Sequence, residues 1–267
     1  MNTPIHNLPA EAGLEPLTDS VAVPLYRQVK RALLKLLESG RYAPGQALPS
    51  ETEIAQSLQV SIGTLRRAVD ELVHEHVLIR RQGKGTFVAL HNDDRFLFQF
   101  FHVEPRSMGT LEGMGQEREY PVVDCVAFEK TRATEEQAAA LRMHEGEPVF
   151  CIDNRLSLGG RPVVHDHLCL SALVFKGLTE KRFSERPSTI YNLYQMDHGI
   201  SVLRAQERAR AASASREVAR ILGVPQGLPV LEVHRVALTF GEKPVEYRIS
   251  TINTQHHDYV SVLSKRR

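Results

Sequence analysis

Between residues 50 and 88 two helix-start signals and a glycine-rich hairpin follow one another without a spare residue, and few folds accommodate that order. Ser50 and Glu53 spell a capping box, in which the serine side chain accepts from the helix's third residue and the glutamate reaches back. Ile54, Ala55 and Leu58 give that helix one apolar face. Gln59-Val60 makes a turn, Ser61 caps a second helix, and Leu65, Ala68, Val69 and Leu72 recur along it at helical spacing. Residues 77–81 and 86–88 then alternate on either side of Gln82-Gly83-Lys84-Gly85. Alternation around a Gly-rich basic tip predicts a hairpin.

The face of the second helix opposite its apolar stripe begins Ser61, Gly63, Thr64, Arg66, Arg67. Small residues near a helix N-terminus allow close approach to a DNA major groove, and arginines beyond them reach guanine edges or phosphates. Helix, turn, polar helix and basic hairpin together predict a winged helix-turn-helix. The alternative is a small helical core carrying an ordinary surface hairpin.

The quoted motifs Leu48-Pro49-Ser50-Glu51, Val60-Ser61, the run from Leu65 to Leu72 and the run from Arg81 to Val88 resemble the DNA-binding domain of GntR-type bacterial transcription regulators. Pro24-Leu25-Tyr26-Arg27-Gln28-Val29 is similar to that family's first helix, with Tyr26, Val29, Leu33, Leu36 and Leu37 at helical spacing and Gly40 as its stop. The resemblance implies a DNA-contact set of Tyr26, Ser50, Thr52, Ser61, Gly63, Thr64, Arg66 and Arg67, with Gln82, Gly83 and Lys84 on the wing. Family members often carry arginine where this chain has Thr52 and Ile62. An arginine–guanine pair is worth roughly 1–3 kcal/mol of discrimination, so a different operator is expected.

Charge divides the chain in the same way. Residues 21–90 hold ten Lys and Arg against six Asp and Glu, whereas residues 91–267 hold twenty-three of each. A basic module on a neutral body places nucleic-acid affinity in the module. A chain of 267 residues with 42% hydrophobic content is long and apolar enough for two cores. No apolar run of about eighteen residues predicts a membrane span. Residues 1–20, with Glu11, Glu15 and Asp19 and no apolar core, read as a disordered leader rather than a secretion signal. Cys125, Cys151 and Cys169 are odd in number and sit in apolar or strand-like runs, which suits reduced thiols in the cytoplasm. They read as small hydrophobes, with a redox switch as the alternative.

An internal repeat organises the remainder. Leu141, Gly146, Pro148, Val149 and Ile152 recur as Leu222, Gly227, Pro229, Val230 and Val233, an unbroken offset of 81 residues. Each copy has a short helix before it, an extended segment after it, a Gly turn and a further strand beginning Pro162-Val163 or Pro244-Val245. A duplicated helix–strand–turn–strand unit predicts an α+β domain over residues 97–262, one antiparallel sheet with helices on one side. Residues 96–103 and a helix starting at Thr189 would complete it, and residues 91–96 form a polar linker.

This layout resembles the UTRA effector-sensing domain of the HutC branch of GntR regulators, whose fold is chorismate lyase-like. The resemblance implies a homodimer formed largely through these domains and a ligand pocket beside the sheet. Carried over, its polar wall falls on Asn154 and Leu156, on Thr189 and Tyr191, and on Glu246 with Ile252 six residues on. Sugar-phosphate binders of the family tend to have arginine where this chain has Asn154 and Leu156, which turns the expectation away from a phosphorylated sugar. Arg155 and Arg248 are the nearby cations able to hold a carboxylate. Glu246 and Arg248 face the same way on a strand, as one side of a pocket or as a surface ion pair.

His165 and His167 would share a strand face with Asp166 pointing away, so the three cannot ligate one metal together, although a His-x-His pair could begin a metal site. No catalytic motif or cofactor signature appears, so an enzyme reading has only fold analogy behind it. The expectation is a cytoplasmic, ligand-responsive repressor with no cofactor and no membrane association. It would bind a pseudo-palindromic double-stranded operator and be released by a small anionic metabolite. The alternatives are a metal-responsive regulator using His165 and His167, and a lyase-like enzyme.

Overall fold

The computed structural model describes residues 23–90, 103–106 and 119–261. The chain divides into two compact units, residues 1–91 and 92–267. The expected leader at 1–20 and linker at 91–96 lie outside the described residues, as does most of 96–103.

The first unit packs three helices beneath a hairpin. Helix α1 (Leu25–Glu38) buries Val29, Leu33, Leu36 and Leu37, and helix α3 (Ile62–His74) buries Leu65, Ala68, Val69 and Leu72. Lys30 of α1 spans to Glu71 of α3 and to Glu75, the residue that caps its end, at 2.9 and 2.6 Å. Helix α2 (Glu51–Ser57) opens with the expected capping box. The Ser50 hydroxyl accepts from the Glu53 backbone at 3.3 Å, and the Glu53 carboxylate accepts from the Ser50 backbone at 2.7 Å. Strands β1 (Leu78–Arg81) and β2 (Gly85–Val88) pair antiparallel, with Arg81 opposite Gly85. Gly83 at φ +69° and Gly85 at φ +102° hold left-handed backbone that a side chain resists, which is why the tip is glycine-rich.

The second unit is a six-stranded antiparallel sheet in the order β4-β5-β6-β9-β8-β7. Its strands are β4 (Val122–Arg132), β5 (Pro148–Leu158), β6 (Arg161–Ser171), β7 (Arg204–Ser213), β8 (Pro229–Leu238) and β9 (Pro244–Ile252). Each half runs strand, helix, strand, strand, with α4 (Glu135–Leu141) in the first copy and α7 (Arg216–Leu222) in the second. The duplication extends to individual hydrogen bonds. Gly146 donates to the Ala133 carbonyl at 2.9 Å, and Gly227 donates to the Ala214 carbonyl at 2.8 Å. Even the irregularities repeat: the register slips between Leu156 and Ser157, and again 81 residues on between Ala237 and Leu238.

The two halves meet along β6 and β9, where the offset is 82 residues because the second Gly turn is one residue longer. His167 lies opposite Ile249, its own equivalent in the other copy, so a local two-fold axis passes through that pair. The neighbouring pairs, Asp166 with Ser250 and Leu168 with Arg248, are related by the same axis.

Helices cover both faces of this sheet, not one as the repeat suggested. Helix α4 packs Ala138 and Leu141 against Val149, Cys169 and Tyr247. On the other face α6 (Ile190–His198) sets Tyr191, Leu193 and Tyr194 against Phe150, Ile152, Leu168 and Leu170. The reason lies in β6, whose Leu168, Cys169 and Leu170 are all buried, so that both of its faces are apolar and each requires a cover. Helix α5 (Glu180–Ser184) contributes the buried Phe183 to the α6 side. Residues 103–105 do not extend the sheet. As β3 (Val103–Pro105) they pair with β10 (His257–Tyr259), and Val103 and Tyr259 pack on Leu156, Val164, Val233 and Ile252.

Candidate functional site

Helix α3 begins with Ser61 accepting from the Thr64 backbone at 3.1 Å, its hydroxyl 2.9 Å from the Thr64 hydroxyl. Gly63 and the exposed Ile62 complete a first turn free of long polar side chains. One turn on, Arg66 is not idle: its Nε donates to Glu51 at 2.7 Å, and Arg80 of the wing donates to the other Glu51 oxygen at 3.0 Å and to Asp70. Glu51 is held below the usual carboxylate range, mainly by the Arg66 hydrogen bond and further by Arg80. Arg67 stacks its guanidinium 3.9 Å from the centre of the Tyr26 ring. Gln82, Gly83 and Lys84 form the wing tip, and a groove lined by Ser50, Glu51, Arg80 and Lys84 separates that tip from the start of α2. Thr52 lies one residue inside that helix start, exposed.

The second site is a polar belt on the α6 face of the sheet, between two apolar clusters. Glu246 is fully buried and receives four hydrogen bonds. Tyr191 donates at 3.2 Å, Tyr194 at 2.7 Å, and Arg248 twice, at 2.9 and 3.0 Å. Arg248 also donates to Asp166 at 3.0 Å, and Ser250 reaches the other Asp166 oxygen at 2.5 Å. Arg235 lies in the belt as well, donating to Glu207 at 2.5 Å. Burial opposes the charge on Arg248, yet Glu246 and Asp166 more than offset it and hold the guanidinium protonated. Burial, then the Glu246 charge, pushes Tyr191 up to about 12, so it donates at every physiological pH. Asn154, directly across from Asp166, is 3% exposed, and its Oδ1 accepts no hydrogen bond. A buried acceptor left unsatisfied costs about 1–3 kcal/mol. Asp166, Arg235, Arg248 and Ser250 line one cavity with Val103, Leu156, Val164, Val233, Ile252 and Tyr259.

Asn154, Tyr191, Glu246 and Arg248 are therefore brought together, with Leu156 and Ile252 as apolar wall. Arg155 is not among them. Alternation along β5 turns it to the opposite face, where it pairs with Asp124 at 3.0 Å. Thr189 caps α6, accepting from the Asn192 backbone at 3.0 Å. The pair Glu246–Arg248 is a buried fork rather than a surface ion pair.

Residues 25–88 match the family described as bacterial regulatory proteins, gntR family, and residues 116–258, more than half of the chain, match the UTRA domain. The chain belongs to the GntR family, in its UTRA-bearing HutC branch. This GntR regulator is 26% identical to the transcriptional repressor NagR of Bacillus subtilis (strain 168), over 91% of this chain and 96% of that protein. It is 26% identical to the histidine utilization repressor of Pseudomonas putida, over 91% of this chain and 90% of that one. The ligand-binding domain of a GntR-family regulator from Bordetella bronchiseptica superposes with a TM-score of 0.56 at 33% identity, covering 62% of this chain and 98% of its own. The matched families are regulatory and ligand-sensing, so the chorismate lyase-like fold carries no lyase activity here.

Four belt residues of this GntR regulator escaped the sequence reading: Asp166, Tyr194, Arg235 and Ser250. The repeat held a signal for two of them. The offset of 81 maps Asn154 onto Arg235, and the offset of 82 maps Asp166 onto Arg248. Tyr194 follows Tyr191 by three residues and so shares its helix face.

The histidines occupy the other face. His165 and His167 both turn to one oxygen of Asp153, at 2.8 and 2.9 Å, while Asp166 points away as the alternation required. No group of three or more His, Cys, Asp or Glu among the described residues is arranged to hold a metal ion. No helix among them is long and apolar enough to cross a membrane.

Proposed function

We propose that this GntR regulator is a cytoplasmic homodimeric repressor that leaves a pseudo-palindromic operator when a small carboxylate-bearing metabolite enters the sheet domain. The observation that carries the effector reading is the buried belt. Two guanidiniums, Arg235 and Arg248, face one cavity in its apolar surroundings. A carboxylate gains most from arginine through paired, charge-assisted hydrogen bonds. The names of the relatives, NagR as a transcriptional repressor and the histidine utilization repressors, support the sign of regulation. Dimerisation follows from affinity, since one small domain with few free arginines needs a second half-site.

The cavity is about 20 Å³, room for one water, so a metabolite enters only if its walls part. Val103 and Tyr259 on the β3–β10 pair are the walls outside the main sheet. Strand β3 follows the DNA-binding unit by little more than a dozen residues of chain. Displacing it transmits ligand binding through the backbone, provided the ligand prefers the displaced arrangement.

The test is operator release, followed by fluorescence anisotropy, against a panel of small organic acids and divalent metals with thermal shift in parallel. A ligand at about 100 times its dissociation constant stabilises by about 2.7 kcal/mol. Arg248→Lys keeps a cation beside Asp166 and Glu246 but loses the fork, so it should bind operator normally and ignore the effector. Stabilisation by metals and by no organic acid would overturn the carboxylate reading.

A further inference from the structure

Strands β5 and β6 place Cys151 directly opposite Cys169, on the face covered by α4. Directly opposed residues of an antiparallel pair have Cα atoms about 4.5–5.5 Å apart. That lies inside the roughly 4.4–6.8 Å range that a disulfide spans. The surroundings of the two sulfurs differ. Cys151 is partly exposed and collects donors: the Cys169 thiol, the His167 imidazole, and the Gln137 amide of α4 at 3.6 Å. His167 is pushed up to about 10 by Asp153 first and by Cys151 next, so it stands beside the sulfur as a cation at neutral pH. Together these donors hold the Cys151 thiol below its ordinary value, whereas the buried Cys169 thiol is raised by the anion beside it. Cys125 serves as an internal contrast, because burial pushes its thiol up. An accessible thiolate against a buried partner thiol is the arrangement of an attacking and a resolving cysteine.

We propose that Cys151 and Cys169 form an oxidation site for peroxide-class oxidants, Cys151 reacting first and Cys169 closing a disulfide between β5 and β6. The Cys151 sulfur attacks the terminal oxygen of a hydroperoxide. An S–O bond forms, the O–O bond breaks, and the departing alkoxide or hydroxide takes the His167 proton and leaves as an alcohol or water. Cys169 then gives its proton back to His167 as its sulfur attacks Cys151. The S–S bond forms, the S–O bond breaks, and the hydroxide takes that proton from His167 and leaves as water. Two thiols lose two electrons and two protons, and one peroxide is reduced to alcohol and water. In a compartment that keeps thiols reduced such a disulfide is transient, a signal rather than a staple.

The experiment uses the reduced full-length protein, treated with one equivalent of hydrogen peroxide at pH 6, where an ordinary thiol with a pKa of about 8.5 is almost wholly protonated. Thiols are then alkylated under denaturing conditions and the intact mass and peptides are measured. The expected result is loss of two alkylatable thiols, one intramolecular Cys151–Cys169 crosslink and an untouched Cys125. Cys169→Ser should stop at a sulfenic acid on Cys151 that dimedone traps. Cys151→Ser should leave Cys169 reduced at the same dose. His167→Gln should slow Cys151 oxidation by about tenfold or more, since the thiolate loses its cationic neighbour. Wild-type protein that keeps three alkylatable thiols, or that oxidises Cys125 first, overturns the proposal. Because the decisive measurement is on the wild type, a variant that fails to fold does not shelter it.

Discussion

Asp166 and Arg248 occupy the same place in the two copies of the duplicated unit and meet across the seam between them, 3.0 Å apart. A two-fold site lined by identical residues would present the same chemistry twice. Here one copy supplies an acid and the other a base, and the next position out holds Asn154 in one copy and Arg235 in the other. The belt thus lies on the local axis of the domain yet has two distinct ends, which is what an asymmetric ligand requires.

That relationship makes the belt a structural element as well as the proposed effector site. Truncating one member of a buried ion pair leaves the other charged and unpaired, at a cost of about 3–5 kcal/mol. Arg248→Ala takes the bound guanidinium from both Asp166 and Glu246 and should therefore lower the denaturant midpoint of the sheet domain sharply, with the helix-turn-helix unit less affected. A loss under about 1 kcal/mol, the range of an exposed pair, would mean that water reaches the two carboxylates.

Asn154 should behave in the opposite sense. Its carbonyl oxygen is buried without a donor, and replacing an unsatisfied polar group by an apolar one of similar shape is near neutral or stabilising. Asn154→Leu is expected to hold or raise the melting temperature while abolishing effector release. A clear fall in melting temperature, measured by calorimetry, would show that the carbonyl is satisfied in the free protein.

Helix α3 gives a third expectation. Arg66→Ala should weaken specific operator binding by about 1–3 kcal/mol. Lys84→Ala should lower affinity evenly across sequences and flatten the salt dependence by about one unit of slope. Footprints unchanged in Arg66→Ala would remove α3 as the reader.

The Asp153–His167 contact predicts a pH signature. The folded state raises His167 from 6.5 to about 10, so its stabilisation is complete below pH 6.5 and fades as pH climbs towards 10. Burial works to raise Asp153, but His165 and His167 together outweigh it and depress the carboxyl below its ordinary 3.8, so its share is present above that pH and is lost on acidification. The melting-temperature gap between wild type and Asp153→Asn should be widest near pH 4–6.5 and narrow towards pH 10. A gap that stays constant above pH 6.5 would contradict a charged His167.

The helix-turn-helix was legible because its signals are local. Ser50 with Glu53, Ser61 with Thr64, and the glycines at 83 and 85 each act within a few residues of chain. The repeat likewise announced α4, α7 and the strands around them. What it could not announce was which face each helix would take, since Leu168, Cys169 and Leu170 are apolar on both sides of β6. Grouping Arg155 with Asn154 ignored an alternation that was already in the sequence. The partner of Glu246, by contrast, depends on where α6 lands, and no spacing within the chain states that Tyr194 will reach it at 2.7 Å.

Glu51 holds Arg66 and Arg80 before any DNA arrives. To grip a phosphate or a guanine, either arginine must first let go of a carboxylate, and that exchange is cheap only where the duplex offers a well-placed acceptor. On random sequence the arginines are then expected to stay with Glu51, which would keep encounters brief. Glu51→Gln should lengthen residence on non-operator DNA more than on operator, leaving a regulator that binds more tightly overall and searches the chromosome more slowly.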